Sequence, residues 1–346
     1  MVRKPMPTIK EVAQAAGVSI ATVSYVLNNK TDMVSAETAR TVLETARRLG
    51  YRANVTARNL QSSRTGLIGY AWHTLPGEEP HWLMDRFIYY LAQAAEARQY
   101  HLVTFTHPYE DSVRVYNELI SSGRLDGFVL SETNTHDPRI PFLLDKGFPF
   151  VSFGRSDAGL DFPYVDTDSQ AGIQIAVEYL IGLGHRRIAF CGWNTDSLTG
   201  NFRYTGYCEA MAARGLPIPP HYVTRGVYGD EHLTEAFAHW ATLARDQQPT
   251  AIVTVSDYVA IAAMRAAGHF GHRIGETLSV IGFDDAPVGS YITPPLTTLR
   301  QPLHAITAAL VEMLDGVVQK TPYTPPRRLF PPELIIRASC GAPQPD

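Results

Sequence analysis

Between Val18 and Asn28 the chain places short polar side chains at Ser19, Thr22, Ser24 and Asn28 around Ile20, Ala21 and Tyr25. Hydroxyls and a carboxamide of that reach suit the phosphate oxygens of a nucleic-acid backbone. The three residues between them suit base edges in a major groove. Any one of these hydroxyls serves equally well as a helix cap; it is their run at helical spacing that points to DNA recognition. No other chemistry is spelled out. The chain has no Walker A loop, no G-x-S-x-G elbow and no H-E-x-x-H pair, and Gly182-Leu-Gly184 stops short of a dinucleotide fingerprint. Cys191, Cys208 and Cys340 form no C-x-x-C spacing, so neither a zinc site nor a disulfide framework is indicated. Asp166 and Asp168 alternate at a strand-to-helix junction, where helix capping explains them better than a metal does. The expectation is a protein that is not an enzyme and carries no cofactor and no metal.

The elements that must hold the polar run read as helices. Thr8 followed by Glu11 forms a capping box before Val12, Ala13 and Ala16. Ser19 precedes Thr22, Val23 and Val26, and Ser35 precedes Val42, Ala46 and Leu49. Gly17 separates the first two helices as in a helix-turn-helix, and Gly50 ends the third as a C-cap. Beyond about residue 66 the pattern changes to short apolar runs alternating with amphipathic stretches. Strands are expected at 66–72, 101–106, 127–130, 149–153, 187–192, 251–256 and 279–283, the repetition of a doubly wound α/β architecture. A proline-rich passage over 323–332 is expected to link late strands.

A chain of 346 residues exceeds one small domain and has a sizeable core available. Its net charge of −4 hides an asymmetry: residues 1–66 carry ten Lys/Arg against four Asp/Glu, which leaves 20 against 30 for the remainder. A basic head on an acidic body fits one end meeting a polyanion while the body is repelled by it; charge alone is equally met by a solvated helical domain. No apolar h-region opens the chain and no window reaches the length of a membrane span, so a cytoplasmic location without membrane contact is expected.

The block Thr8-Ile-Lys-Glu-Val-Ala, Ala16-Gly-Val-Ser, Thr22-Val-Ser-Tyr-Val-Leu-Asn, Val34-Ser and Leu49-Gly-Tyr resembles the LacI/GalR family of repressors. That resemblance implies a DNA-facing set of Thr8, Ser19, Ile20, Ala21, Thr22, Ser24, Tyr25, Asn28, Ser35, Thr38 and Tyr51. Through Asn54, Ala57, Arg58 and Leu60 it implies a hinge helix that orders on operator DNA. Leu60 would then be the minor-groove wedge and Arg58 would lie near phosphates. Without the family, a lone leucine in a polar segment more often packs between domains. One departure matters: the position before Val26, often arginine in this family, is Tyr25, so a guanidinium contact to guanine is not available there.

The resemblance continues through Leu183-Gly-His-Arg-Arg-Ile-Ala, Arg203-Tyr-Thr-Gly-Tyr, Val280-Ile-Gly-Phe-Asp-Asp and Pro295-Leu-Thr-Thr-Leu-Arg-Gln-Pro. It implies an all-α helix-turn-helix head at 1–52, a hinge helix and linker at 53–65, and a periplasmic-binding-protein-like (type I) effector domain of two doubly wound lobes at 66–346. The lobes are expected at 66–165 with 296–324, and at 166–295 with 325–346. A polyhydroxylated ligand needs multidentate hydrogen-bonding side chains and an aromatic face. By motif position Arg203 and Asp284 are the expected pair of hydroxyl ligands, with Asp257 at the cleft edge after Ser256, which stands where the family often has asparagine. Arg155, in Phe153-Gly-Arg, resembles members that respond to sugars, especially regulators of α-glucoside type. Trp82, Tyr228 and Gln301 complete the expected effector set. Otherwise Arg203 with Asp284 is a buried ion pair and Trp82 is core packing.

An enzyme lacks its motifs, and a transport-type solute-binding protein should carry a secretory segment in place of residues 1–64. Within the regulator reading a purine or nucleoside effector is the alternative to a sugar, with Trp72, Trp82 and Phe153 available to stack on it. The expected partners are double-stranded operator DNA, a small-molecule effector and a second copy of the chain in a homodimer. No heptad tail follows Cys340, so no additional coiled coil is expected.

Overall fold

Thr8 starts the first helix as its sequence predicts. Its hydroxyl accepts the Glu11 N–H at 3.4 Å, and the Glu11 carboxylate accepts the Thr8 N–H at 2.6 Å. The computed structural model that contains this cap describes residues 7–27, 33–51, 64–74, 82–108, 111–226, 231–321 and 327–344. It divides into two units, Met1–Thr65 and Gly66–Asp346.

The first unit holds α1 (Ile9–Ala16), α2 (Ile20–Leu27) and α3 (Ala36–Leu49). Ser35 caps α3 by accepting the Thr38 N–H at 3.2 Å, and Gly17 and Gly50 close α1 and α3 in the left-handed conformation that glycine adopts without a Cβ clash. Val12, Ala13, Val23, Val26, Ala39, Val42 and Ala46 form its core. Seven small or branched residues from three short helices make a modest core.

In the second unit the chain runs β1 (Leu67–Thr74), α4 (Trp82–Ala97), β2 (His101–Pro108), α5 (Ser112–Ser121), β3 (Gly127–Leu130), α6 (Arg139–Lys146), β4 (Phe150–Phe153) and β5 (Tyr164–Thr167). It continues through α7 (Ser169–Gly182), β6 (Ile188–Trp193), α8 (Leu198–Ala213), β7 (Val223–Gly226), α9 (Glu231–Thr242), β8 (Ala251–Thr254), α10 (Asp257–His269), β9 (Ser279–Phe283) and β10 (Thr297–Arg300). The last elements are α11 (Leu303–Gln319), β11 (Arg327–Phe330) and β12 (Glu333–Ile335). Two six-stranded sheets result, ordered β11-β5-β4-β3-β1-β2 and β12-β10-β9-β8-β6-β7, every neighbouring pair parallel except β10 with β12. Central strands such as Gly127–Leu130 and Ala251–Thr254 are buried throughout, as a sheet covered by helices on both faces requires. One apolar cluster fills the second lobe, and two clusters lie in the first.

The strand pairing moves the expected lobe boundaries. β10 was expected in the first lobe, but Thr297 to Leu299 pair in parallel with Ile281 to Phe283 of the second sheet. The first lobe instead regains the chain at α11, which packs on β3, β4 and β5. Arg327–Phe330, expected as linker, is itself a strand beside β5, because its alternating half-buried residues suit a sheet edge. The chain therefore crosses between lobes after β5, after β10 and after β11.

Candidate functional site

Parallel strands deliver their following loops to one edge of a sheet, and that edge is where α/β folds bind ligands. Here the C-terminal ends of both sheets border one cavity of about 320 Å³. From the first lobe it receives Glu132 to Asn134 after β3, Phe153 with Gly154 at the end of β4, and Asp166 on β5. From the second it receives Trp193 at the end of β6, Arg203 on α8, Asp284 after β9 and Gln301 after β10.

Three of these form a connected polar set. Gln301 Nε2 donates to Asp284 Oδ1 at 2.7 Å, and its Oε1 accepts the Thr167 hydroxyl at 2.5 Å. Arg203 Nη2 lies 4.0 Å from the same Asp284 oxygen, while Nη1 donates to the Val255 carbonyl. The Arg203 guanidinium stacks 3.6 Å over the Phe283 ring and lies 5.4 Å from that of Trp193. All three polar side chains are almost fully buried, so their geometry is preset by packing rather than by solvent-exposed rotamers. The buried ion pair that the sequence offers as the plain alternative is thus present, yet its members also line the cavity.

Arg155 lies behind this surface. Its Nε donates to Asp166 Oδ2 at 2.8 Å and its guanidinium stacks 3.5 Å over Phe202 of the second lobe. Its Nη2 is buried and has no hydrogen-bond partner among the described residues. Burial pushes the Asp166 carboxyl above the usual range, with Arg155 opposing that shift. Asp166 was expected to cap a helix; it pairs with Arg155 instead, and the capping falls to Asp168, which accepts the Ala171 N–H at 3.1 Å.

Two expected effector residues are placed elsewhere. Asp257 is turned into the protein, accepting the Ala286 N–H at 2.6 Å and the Thr298 hydroxyl at 2.5 Å, and is not among the residues bordering the cavity. Trp82 opens α4 with 43% of its surface exposed, and it is the next two residues, Leu83 and Met84, that face the cavity. Tyr228 lies outside the described residues. The aromatic neighbours of the cavity are Phe153 and Trp193. Trp193 and Asn134 were missed, although Trp193 directly follows the strand expected at 187–192, which was the available signal, while Asn134 lies four residues beyond the one expected at 127–130.

On the first unit, Ser19, Ile20, Ala21 and Tyr25 are exposed and Thr22 and Ser24 half-buried, while Val23 and Val26 face the core. Ile20, Ala21, Ser24 and Tyr25 therefore share the outward side of α2. Hydroxyl pairs sit at two helix starts, Ser19 with Thr22 and Ser35 with Thr38, each at 2.9 Å. Together with the Thr8 box they leave three helix N-termini lined with polar groups, an arrangement favourable to phosphate. Tyr51 is half-buried against the helical core. Asn28, Asn54, Ala57, Arg58 and Leu60 lie outside the described residues. Among the described residues no cluster of His, Cys, Asp or Glu could hold a metal ion, and no helix is long and apolar enough to cross a membrane.

Comparison with known proteins bears on both units. Residues 8–54 match the family described as "Bacterial regulatory proteins, lacI family", and residues 177–340 match a "Periplasmic binding protein-like domain". The HTH-type transcriptional regulator AglR of Rhizobium meliloti is 34% identical over 98% of this chain and 95% of its own length. A regulatory protein of LacI family from Chloroflexus aggregans, solved by crystallography, is 44% identical, with a TM-score of 0.75 over 80% of this chain and 99% of that one. A complex of the transcriptional regulator CelR with cellobiose aligns over 96% of this chain and 99% of that one, at 28% identity and a TM-score of 0.70.

Proposed function

The chain belongs to the LacI family of bacterial regulatory proteins, and from that premise we propose a specific reading of its two units. The protein is a sequence-specific DNA-binding transcriptional regulator whose operator affinity is set by a small molecule, and repression is the sign we assign to it. The outward face of α2 reads the operator, with Ser19, Thr22 and Ser24 toward phosphates and Ile20, Ala21 and Tyr25 toward bases; the helix starts at Thr8 and at Ser35 with Thr38 add further backbone contacts.

The effector is a sugar. One observation carries this reading: Arg203, Asp284 and Gln301 converge as planar hydrogen-bonding groups in a cavity that also presents Trp193 and Phe153. A polyhydroxylated ring offers donors and acceptors around its rim and an apolar C–H face, which this mixture complements. That CelR is solved with cellobiose supports the same class. Arg155 serves by holding Asp166 at the cavity wall. The domain limits we assign are the head at 1–52, the hinge at 53–65, within which Leu60 would wedge DNA, and the effector unit beyond.

Coupling needs only that the ligand prefer one arrangement of the two lobes, since a ligand shifts an equilibrium by its differential affinity. A homodimer, working in the cytoplasm where the DNA is, presents two heads to a pseudo-palindromic site. No catalytic step enters this reading. Its test is calorimetry with maltose, sucrose, trehalose, cellobiose and the purine hypoxanthine: saturable binding of one sugar supports it, and binding of hypoxanthine with none of any sugar overturns the ligand class.

A further inference from the structure

Asp257, the first residue of α10, is almost fully buried, and its two oxygens tie the turn after β9 to strand β10. Oδ2 accepts the Ala286 N–H at 2.6 Å and Oδ1 accepts the Thr298 hydroxyl at 2.5 Å. The backbone held this way is unusual: φ is +120° at Asp284 and +54° at Asp285, in the region that residues other than glycine avoid. Such a turn persists only where its surroundings over-determine it. Asp285 is fixed four times over, its carboxylate by Arg300 at 2.7 Å and Arg337 at 2.5 Å, its carbonyl by Arg86 of the first lobe at 2.8 Å, and its N–H by the Thr298 oxygen at 3.4 Å. Within a turn so constrained, the Asp284 carboxylate is the member that meets Gln301 and Arg203 at the cavity.

We propose that Asp257 is a positioning residue of the effector site, holding the turn from Asp284 to Ala286 so that the Asp284 carboxylate is presented to the ligand. This rests on the reading of Asp284 as an effector ligand.

The charged groups around Asp257 give the proposal a second consequence. Asp284 and Asp285 face it from the turn. Arg203 of α8 reaches Asp284, while Arg300 of β10 and Arg337 after β12 are committed to Asp285. Gly282 and Gly289 also approach the Asp257 carboxylate and bring no charge. Burial first, then the charge on Asp284, pushes the Asp257 carboxyl up to about 8. A ligand that closes over Asp284 removes more water from the pair and favours the protonated form further. Effector affinity therefore falls as pH rises through about 8.

The experiment uses the full chain, with the sugar that binds most tightly among maltose, sucrose, trehalose and cellobiose, titrated calorimetrically from pH 6 to 9. Asp257→Ala removes both bonds and should weaken binding by about tenfold or more. Asp257→Asn keeps an acceptor for the Ala286 N–H and offers an N–H to the Thr298 oxygen, reversing the direction of that bond, but does not titrate. It should bind within about twofold of the wild type at pH 7 and lose the decline above pH 8. Should Asp257→Ala fail to fold, the pH profile of Asp257→Asn decides alone. Unchanged affinity in Asp257→Ala, or a wild-type pH profile in Asp257→Asn, overturns the proposal and leaves the sugar reading standing. If the wild type binds none of the four sugars, the sugar reading fails instead, and the same variants titrated with hypoxanthine decide whether Asp257 positions the site.

Discussion

Asn134, on the loop after β3 of the first lobe, accepts the Leu198 N–H of the second lobe at 2.9 Å and returns its amide N–H to the Asp196 carbonyl at 2.7 Å. One carboxamide thereby bridges the lobes beside the cavity that it lines. If effector binding depends on lobe closure, Asn134→Ala removes two lobe-crossing bonds and should weaken effector affinity by roughly five- to a hundredfold, each neutral hydrogen bond being worth about 0.5–1.5 kcal/mol. Calorimetry with the best-bound sugar checks this, and affinity equal to the wild type would show that the bridge is incidental.

Asp284→Ala removes the acceptor shared by Gln301 and placed 4.0 Å from Arg203. Loss of a buried charge partner costs about 3–5 kcal/mol when its counterpart stays unpaired. The effector response of operator binding should disappear, read as equal operator titrations with and without sugar. A cooperative melt must accompany that result; a variant that does not fold would mark Asp284 as structural support for Arg203.

These two residues also show what the chain disclosed before its fold was seen. Asp284 follows a strand recognisable as Ser279–Phe283, so its place at a sheet edge was legible. Asp257 was expected at the cleft edge among the effector residues. Its side-chain partners lie 29 and 41 residues further along the chain, and no local pattern reports that it points inward. Trp82 and Trp193 carry the same ring, and only the path of the chain puts the second beside the cavity. Strands β5, β7 and β10 to β12 escaped because they are three or four residues long with polar members, as in Tyr164–Thr167 and Val223–Gly226. Caps at Thr8, Ser35, Gly17 and Gly50 were readable because each rests on a bond to a residue at most four positions away.

For the DNA-facing half, Leu60→Ala should weaken specific operator binding while leaving non-specific binding nearly intact, because phosphate contacts supply the salt-sensitive part. Titrations against operator and scrambled duplex at two salt concentrations separate the two. Equal losses on both duplexes would contradict the wedge.

The folded Asp257 carboxyl stands at about 8, against about 3.9 for an aspartate in an unfolded chain. A raised folded value means that folding takes up a proton. Its stabilising contribution is therefore complete below about pH 4 and is lost as pH rises through about 8. Wild-type thermal stability should fall more between pH 6 and pH 9 than that of Asp257→Asn, as followed by circular dichroism. Parallel declines would place the proton elsewhere.

The central claim is that one chain couples an operator to a sugar. Its most direct measurement is a titration of the protein against the DNA flanking its own coding region, at fixed salt, with and without each of the four sugars. The account predicts a tight, sequence-dependent complex whose affinity one sugar changes by about tenfold or more. Binding that is equal on operator and unrelated DNA, and indifferent to every sugar, would contradict it.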